Sequence, residues 1–280
     1  MFEYKSVTSV SRVRRDTRVY NFNVPKHETY IANGFVVHNC LNNRVSQRTT
    51  GKSTFYSPAA LVKLALERDV QGIAFTYNEP TIYHDYIEEV GHNIRRSIDS
   101  SHLKLVIKTN GFVQPWVIRN LCLYADAINV DIKGDNEDYD KLCGGSLDPV
   151  VDCIERIVDM GVHLEISYLV LPNKIHDDRF NIYFRNWLAT VNPEIPVHLL
   201  YFYPFHRMVI PSYKPSELLS LRSMMLEKLD YVYISNHFGT NISATRNTLC
   251  RKCGKIVVNR QKGSITSSVC CAKLPGVFLE

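Results

Sequence analysis

Short apolar runs alternate with segments of helical spacing along most of the chain after residue 55. The apolar runs lie at residues 72–77, 103–108, 127–131, 163–171, 197–203 and 231–235. Runs of this kind are typical of buried strands. Helical spacing occurs between them, at residues 57–69, 115–125, 148–161 and 215–230. This alternation predicts an α/β fold in which a parallel sheet, open or closed into a barrel, is covered by helices.

Polar residues follow four of the predicted strands. The segments are YNEPT (77–81), KTNG (108–111), DIKG (131–134) and PFHRM (204–208). The carboxyl ends of parallel strands meet at one edge of a sheet, so four such segments predict a site there, although any one alone could serve to cap a helix. A carboxylate, amides, a hydroxyl, an Asp/Lys pair and a histidine suit a small zwitterionic ligand with a ribose.

Length, composition and charge restrict the class of protein. The 280 residues are 45% hydrophobic and 22% charged, which is typical of a globular chain with one large domain or two smaller ones. No apolar run approaches the roughly 18 residues of a membrane span, and the N-terminus lacks a signal-like apolar core, so we expect a cytoplasmic protein without a membrane partner. Residues 40–249 carry 21 Lys/Arg against 24 Asp/Glu, so the net charge of +5 does not indicate nucleic-acid binding.

The eight cysteines fall into different groups. Cys122, Cys143 and Cys153 stand alone in apolar or mixed segments, where buried thiols are expected. Near the C-terminus, a Cys-x2-Cys-Gly turn is followed by two adjacent cysteines. In a cytosolic chain such pairs bind metal more often than they form disulfides.

A series of motifs runs in fixed order from Cys40 to the C-terminus. They read FTYNEPTIY, KTNGFV, INVDIKG with KLCGG, EISYLVLP, YFYPFHRM and NTLCRKCGKIV…LPGVF. In this order they resemble the radical S-adenosylmethionine (SAM) enzymes of the AmmeMemoRadiSam type, relatives of pyruvate formate-lyase activating enzymes. The resemblance implies a partial (β/α)6 barrel that here lacks its first strand and part of the loop that holds an iron–sulfur cluster.

The resemblance also implies two cofactors. One is a 4Fe-4S cluster held by three thiolates, and Cys40 matches the last cysteine of the family's Cys-x3-Cys-x2-Cys loop. The other is SAM, which binds the open cluster position and is cleaved by one electron to methionine and a 5′-deoxyadenosyl radical. The residues that match the family's SAM site are Asn78, Glu79, Thr109, Asn110, Asp131, Lys133 and His206. Asn78 and Glu79 would face the methionine ammonium, and Thr109 and Asn110 would face the methionyl or ribose side. Asp131 and Lys133 would face the polar end of the nucleoside, and His206 would face the adenosyl part.

Residues 1–39 differ from the rest and lack the first two cluster cysteines. Their VYNF run (19–22), His27, Asn33-Gly34 and closing His38-Asn39 resemble the C-terminal end of an intein. The resemblance implies that Cys40 takes an acyl group from a thioester, that Asn39 cleaves the 39–40 bond by cyclising, and that His38 acts as general acid. Many inteins carry an Asp at the position of Asn21, and this difference would change the rate of the first acyl shift. The alternative is an unrelated β-hairpin extension.

Splicing requires a second half that this chain does not contain. A split intein predicts a separate partner that carries the N-terminal intein half and the other two cluster cysteines, and the basic residues 1–39 would attract an acidic partner. A truncated gene model of a cis-splicing precursor is the alternative. Both predict a chain that is inactive until spliced.

The C-terminal segment resembles the family's zinc-ribbon tail. Its candidate ligands are Cys250, Cys253, Cys270 and Cys271, while Ser267 stands where a further cysteine is expected. Zinc is therefore a tentative third cofactor. The resulting domains are an intein segment (1–39), the barrel (40–249) and the tail (250–280).

The hydrogen donor of the reaction has no signature in the sequence. The resemblance suggests AMMECR-domain and Memo-like partners and a reductant of the ferredoxin or flavodoxin type. Activation of a glycyl radical enzyme is the second candidate role. A catalytically inactive barrel that serves as a binding module, and a non-radical (β/α) enzyme, are the remaining alternatives.

Overall fold

This computed structural model describes residues 29–32, 35–38, 55–76, 79–96, 98–204, 209–236, 245–261 and 264–267. Of the predicted site residues, Asn39, Cys40, Asn78, His206, Cys270 and Cys271 lie outside these ranges, as does the side chain of His38. The structure therefore bears on the barrel and on the start of the tail.

Six parallel strands form the main sheet, and each pairs with the next strand in the chain. They are β3 (Gly72–Phe75), β4 (Lys104–Thr109), β5 (Ala127–Ile132), β6 (His163–Leu169), β7 (Val197–Leu200) and β8 (Val232–Ile234). Each lies in one of the predicted apolar runs, except that β4 and β5 end one residue after their runs. The predicted α/β class with a parallel sheet is confirmed.

Six α-helices connect and cover these strands in the described residues. They are α1 (Pro58–Glu67), α2 (His84–Arg96), α3 (Pro115–Cys122), α4 (Asp148–Asp159), α5 (Asp178–Val191) and α6 (Pro215–Met225). A 3-10 turn (Pro80–Tyr83) precedes α2, and a short helical segment (Asn136–Asp138) runs into a π-helical turn (Tyr139–Cys143). No helix in the described part of the chain is long and apolar enough to cross a membrane.

Local sequence explains why these helices form. Helix α1 begins after Ser57, whose side chain accepts a hydrogen bond from Ala60 N, and Pro58 occupies its first turn. The sequence analysis did not single out α2 and α5, and for α2 the reason is its largely polar composition. The buried residues of α2 are nevertheless spaced as one face, at Ile87, Val90, Gly91 and Ile94.

Two small antiparallel sheets accompany the main one. Strands β1 (Thr29–Ala32) and β2 (Phe35–His38) form a hairpin, and β9 (Thr248–Leu249), β10 (Ile256–Gln261) and β11 (Ser264–Ser267) form a three-stranded sheet. Among the described residues, no strand before Gly72 joins the main sheet. The proposed domain boundaries at residues 39/40 and 249/250 stay predictions.

The central strands are buried on one face only. In β4, Leu105, Ile107 and Thr109 are buried, whereas Lys104, Val106 and Lys108 are partly exposed. Strand β5 alternates in the same way. The expectation of buried strands thus holds for only one face of β4 and β5, because the other face carries Lys104 and Lys108 in β4 and Asn129 and Asp131 in β5. The apolar face packs against the helices, and the other face lines the interior of the open barrel.

Two glycines allow a direct test of the turn after β4. Gly111 has φ +72°, and a Cβ there would lie 2.8 Å from Val130 Cγ1 and 2.9 Å from Val150 Cγ1. Gly161 has φ +70°, but a Cβ there would meet nothing within 4 Å. We expect Gly161→Ala to lower the free energy of unfolding by about 1–2 kcal/mol through backbone strain alone. Gly111→Ala should cost about 1–3 kcal/mol more through overpacking. Equal losses in urea unfolding would contradict this packing.

Candidate active site

The carboxylate of Glu79 is held by donors from two strand ends. Its Oε1 accepts hydrogen bonds from Thr81 N (3.2 Å), Thr81 Oγ1 (2.9 Å) and Thr109 Oγ1 (2.6 Å). Its Oε2 accepts one from Asn110 N (2.7 Å). Donors from the described residues are thus concentrated on Oε1, and Oε2 retains capacity to accept another hydrogen bond.

The turn after β4 is built to present these donors. The Thr109 side chain is only 1% exposed, and its hydroxyl also accepts from Gly111 N (3.1 Å). Asn110 Oδ1 accepts from Phe112 N (2.8 Å), which closes the turn. The Asn110 side chain is therefore partly engaged by its own loop, while its backbone N–H points to Glu79.

A second cluster surrounds Asp131 near the end of β5. Asp131 Oδ1 lies 2.6 Å from Lys108 Nζ, and Asp131 Oδ2 lies 3.9 Å from Lys133 Nζ. Lys108 Nζ also donates to Asn129 Oδ1 (2.6 Å) and Ser167 Oγ (3.2 Å). Two ammonium groups thus face one carboxylate, which leaves this cluster with one excess positive charge.

The structure brings the predicted residues together in two groups. Glu79, Thr109 and Asn110 form the first, and Asp131 and Lys133 form the second. Lys108 was not predicted as a site residue, although it directly precedes Thr109 in the KTNG motif. It extends the second group across β4, β5 and β6 through Asp131, Asn129 and Ser167.

Two described cysteines of the barrel, Cys122 and Cys153, are unsuited to bind a cluster. Burial raises the pKa of Cys122 to about 11 and also raises that of Cys153, which is 1% exposed. A thiol that stays protonated is a poor iron ligand. The prediction of buried thiols is met for these two, whereas Cys143 is only partly buried. In the tail, Cys250 is buried and Cys253 exposed, and Gly254 N donates to Cys250 O (2.8 Å).

A buried lysine joins the loops after β5 and β6. Lys174, 6% exposed at its side chain, places Nζ at 2.6 Å from Asp135 Oδ2, 3.2 Å from Asp138 Oδ2 and 2.6 Å from Asp177 Oδ2. Burial opposes its charge, but the three carboxylates outweigh it and raise the pKa of Lys174. The sequence analysis missed this residue because its partners lie up to 39 positions away in the chain.

The interior face of β6 and β7 carries further polar residues that sequence reasoning missed. Glu165 contacts His163 and His198, and His198 contacts Ser235. The available signal was the polar residue at every second position of HLEIS (163–167) in a run taken as uniformly buried.

Comparison with known proteins identifies the family. Residues 38–184, just over half of the chain, match the Radical SAM superfamily. This chain belongs to the radical SAM superfamily. Membership implies a 4Fe-4S cluster and SAM as cofactors.

An uncharacterized protein of Methanocaldococcus jannaschii is 30% identical over 229 residues, which cover 79% of this chain and 65% of that protein. The chain thus spans just under two thirds of that relative's length.

Three solved structures share the fold at low identity. The anSMEcpe structure with bound AdoMet and Cp18Cys peptide has a TM-score of 0.52 at 15% identity, covering 69% of this chain and 58% of that one. SuiB of Streptococcus suis bound to precursor peptide SuiA has a TM-score of 0.52 at 13% identity, covering 68% and 44%. A radical SAM methyltransferase from Sphaerobacter thermophilus has a TM-score of 0.50 at 14% identity, covering 67% and 59%. At this identity the likeness supports the fold alone.

The Lys174 contacts predict a pH-dependent loss of stability. We expect Lys174→Met to lower the free energy of unfolding at pH 7 by about 3–5 kcal/mol, since it leaves the buried Asp138 and two partly exposed carboxylates without a counter-charge. Lys141→Met is the matched control: Lys141 is exposed and pairs with Glu137, so this variant should unfold at nearly the same denaturant concentration as wild type. Both variants are measured by denaturant unfolding.

The way in which stability changes with pH follows from the pKa values of the carboxyl groups that contact Lys174. Burial opposes ionisation of Asp135, but hydrogen bonds from Lys174 Nζ and Asp138 N hold its pKa below the usual range. The Lys174 hydrogen bond likewise lowers the pKa of Asp177. A lowered carboxyl pKa contributes stability above about pH 4 that is lost as the pH falls through the folded value. The deficit of Lys174→Met should therefore shrink below about pH 4. A constant deficit would contradict the assigned ion pairs.

Proposed function

We propose that this chain is the C-terminal part of a radical SAM enzyme in which Glu79 binds the methionine ammonium of SAM. The observation that carries the proposal is the Glu79 carboxylate, whose Oε1 is occupied by Thr81 and Thr109 while Oε2 can accept more. Reductive cleavage of SAM at a 4Fe-4S cluster would supply a 5′-deoxyadenosyl radical that takes a hydrogen atom from a substrate. The protein's task is to orient SAM and exclude water.

The described residues fit that task. The donors from Thr81, Thr109 and Asn110 N fix the Glu79 carboxylate in one orientation, so little order is lost when an ammonium binds. The Asp131, Lys133 and Lys108 cluster offers charged donors and acceptors for the polar end of the nucleoside. Asn78 beside Glu79, and His206 at the adenosyl part, complete the proposed SAM site, although both lie outside the described residues.

We further propose that residues 1–39 are an intein segment and that His38, Asn39 and Cys40 join this chain to an upstream half by splicing. The family match starts at residue 38, next to the proposed junction. Cys40 would then be one of three cluster ligands, the other two coming from the upstream half. An intact, unspliced chain would lack a complete ligand set and be inactive.

The finer assignments are also proposals. They comprise an AmmeMemoRadiSam-type role with AMMECR-domain and Memo-like partners, a ferredoxin- or flavodoxin-type reductant, and zinc at Cys250, Cys253 and Cys270 or Cys271. The hydrogen bond from Gly254 N to Cys250 O supports the zinc proposal, because it closes a turn that carries both Cys250 and Cys253. Activation of a glycyl radical enzyme stays the second prediction.

Substitution of Glu79 tests the SAM site. In the spliced, cluster-loaded enzyme, Glu79→Gln should weaken SAM binding about 10–100-fold in calorimetry, because it removes a charged acceptor for the ammonium. Glu67→Gln is the control, since Glu67 is exposed on α1 and pairs with Lys63. Equal SAM affinity in both variants would remove Glu79 from the site.

Mass analysis of the junction peptide tests splicing. In protein from the native cells, we expect the peptide that contains Cys40 to be joined to upstream residues with two further cysteines. The released segment should end in a cyclised Asn39. An intact Asn39–Cys40 bond in all of the protein would reject splicing and leave the family membership unaffected.

A further inference from the structure

A row of hydrogen-bonded side chains crosses the interior face of β6, β7 and β8. His163 and Glu165 lie on β6, His198 on β7, and Ser235 directly after β8. The neighbours Leu164 and Ile166 belong to the apolar core, so the residues between them face the opposite side. The register pairs Ser167 with His198 and His198 with Tyr233, so the row passes between adjacent strands.

The hydrogen bonds of this row form a chain. Ser235 Oγ lies 2.8 Å from His198 Nδ1, and His198 Nε2 lies 2.8 Å from Glu165 Oε2. The second oxygen, Glu165 Oε1, lies 3.3 Å from His163 Nε2. Burial opposes ionisation of Glu165, but the hydrogen bonds to His163 and His198 hold its pKa well below the usual range. The carboxylate is therefore ionised and accepts from both imidazoles.

An ionised Glu165 determines the tautomer of His198. A carboxylate can only accept, so Nε2 of His198 must carry a proton. In the neutral imidazole Nδ1 is then the acceptor, and the Ser235 hydroxyl donates to it. This is the arrangement in which a histidine can take a proton through a serine hydroxyl.

The groups around His198 hold its ring in place. The ring stacks on Tyr233 with centroids 5.4 Å apart. Tyr233 in turn bonds Thr248 (2.9 Å) and lies under the Arg260 guanidinium, 5.6 Å from the ring centroid. On the other side, Ser167, which is opposite His198 in the strand register, accepts a hydrogen bond from Lys108, and Lys108 pairs with Asp131. The row therefore lies on strands adjacent to the second part of the proposed SAM site.

The geometry does not favour a metal at the Glu165 group. In the described part of the chain, His84, Asp85 and Glu88 have ligand atoms that all lie within 4.8 Å of one another, as a metal ion would require. His163, Glu165 and His198 do not form such a group. The hydrogen-bond chain is the better description of this face.

We propose that Ser235, His198 and Glu165 form a proton relay for a small polar substrate bound against the interior face of β6–β8. This proposal rests on the proposed radical SAM function. Hydrogen-atom removal from a carbon that bears an O–H or N–H makes that group a stronger acid. Its proton passes to Ser235 Oγ as the Ser235 proton passes to His198 Nδ1. The substrate is left with one negative charge more, and the imidazolium formed is stabilised by Glu165. The substrate class is thus a small molecule with a hydroxyl or amine next to the reacting C–H bond.

The first test measures the tautomer and needs neither cluster nor SAM. Nitrogen-15 NMR of histidine-labelled full-length chain should show neutral His198 with its proton on Nε2. Glu165→Gln removes the obligatory acceptor, so it should permit the shift of that proton to Nδ1. Wild-type His198 with its proton on Nδ1 would overturn the relay.

The second test measures the rate at which the spliced, cluster-loaded enzyme forms 5′-deoxyadenosine from SAM. The rate is measured with and without the small-molecule filtrate (below about 3 kDa) of native cells. The ratio of the stimulated to the unstimulated rate should fall about 100-fold in Ser235→Ala and Glu165→Gln. It should stay within a few-fold of wild type in Ser235→Thr, which keeps the hydroxyl. The control Ser223→Ala, whose hydroxyl donates to Leu219 O on α6, should match wild type.

The pH profile separates a relay from a structural role. A base must be neutral to accept a proton, so the stimulated wild-type rate should increase with pH, and this increase should be lost in Ser235→Ala. An unchanged ratio in Ser235→Ala, or stimulation only by the fraction above 3 kDa, would overturn the proposal. If neither fraction increases the rate of 5′-deoxyadenosine formation, the tautomer of His198 measured by NMR decides whether the relay is kept or rejected. Absence of 5′-deoxyadenosine in wild type would reject the proposed function while the NMR result still reports on the relay.

Discussion

Period-two alternation along the central strands is the constraint on which the site depends. Each strand of this sheet presents one row of side chains to the helices and the other row to the barrel interior. In β4 the apolar row includes Leu105 and Ile107, so Lys108 is directed to the interior. A shift of one residue in register would bury Lys108 among the helices and expose Ile107. The large gain from apolar burial on the helix side therefore fixes where the polar groups of the interior lie.

The carboxyl edge of the sheet brings together side chains from distant parts of the chain. Glu79 follows β3 and Thr109 ends β4, and their contact joins residues 30 positions apart. The edge holds carboxylates and ammonium groups close together because neighbouring side chains and backbone groups satisfy the carboxylates with hydrogen bonds. Lys174 does this for three aspartates outside the barrel, and Lys108 does it for Asp131 inside. Charges that would be costly to bury alone become fixed elements of the structure.

The sequence alone predicted much of this arrangement. Apolar runs located all six strands, and the polar segments that follow them correctly placed Glu79 beside Thr109 and Asn110. Helix α2 was not predicted from the sequence because its apolar residues are few, although they are confined to one face. The contacts of Lys174 and of Glu165 could not be predicted, because each depends on which residues of distant strands and loops face each other. Such pairings depend on three-dimensional register, and a single sequence carries only a weak signal for it.

The sequential order of the strands has a consequence for how the chain folds. After β3, each strand of the main sheet pairs with the strand that precedes it in the chain, so the sheet can grow one β–α unit at a time as the polypeptide leaves the ribosome. No strand has to wait for a distant partner, which keeps the loop-closure entropy of each step small. The six described strands can therefore pair in the order in which they are synthesised, without a strand from the described residues before Gly72.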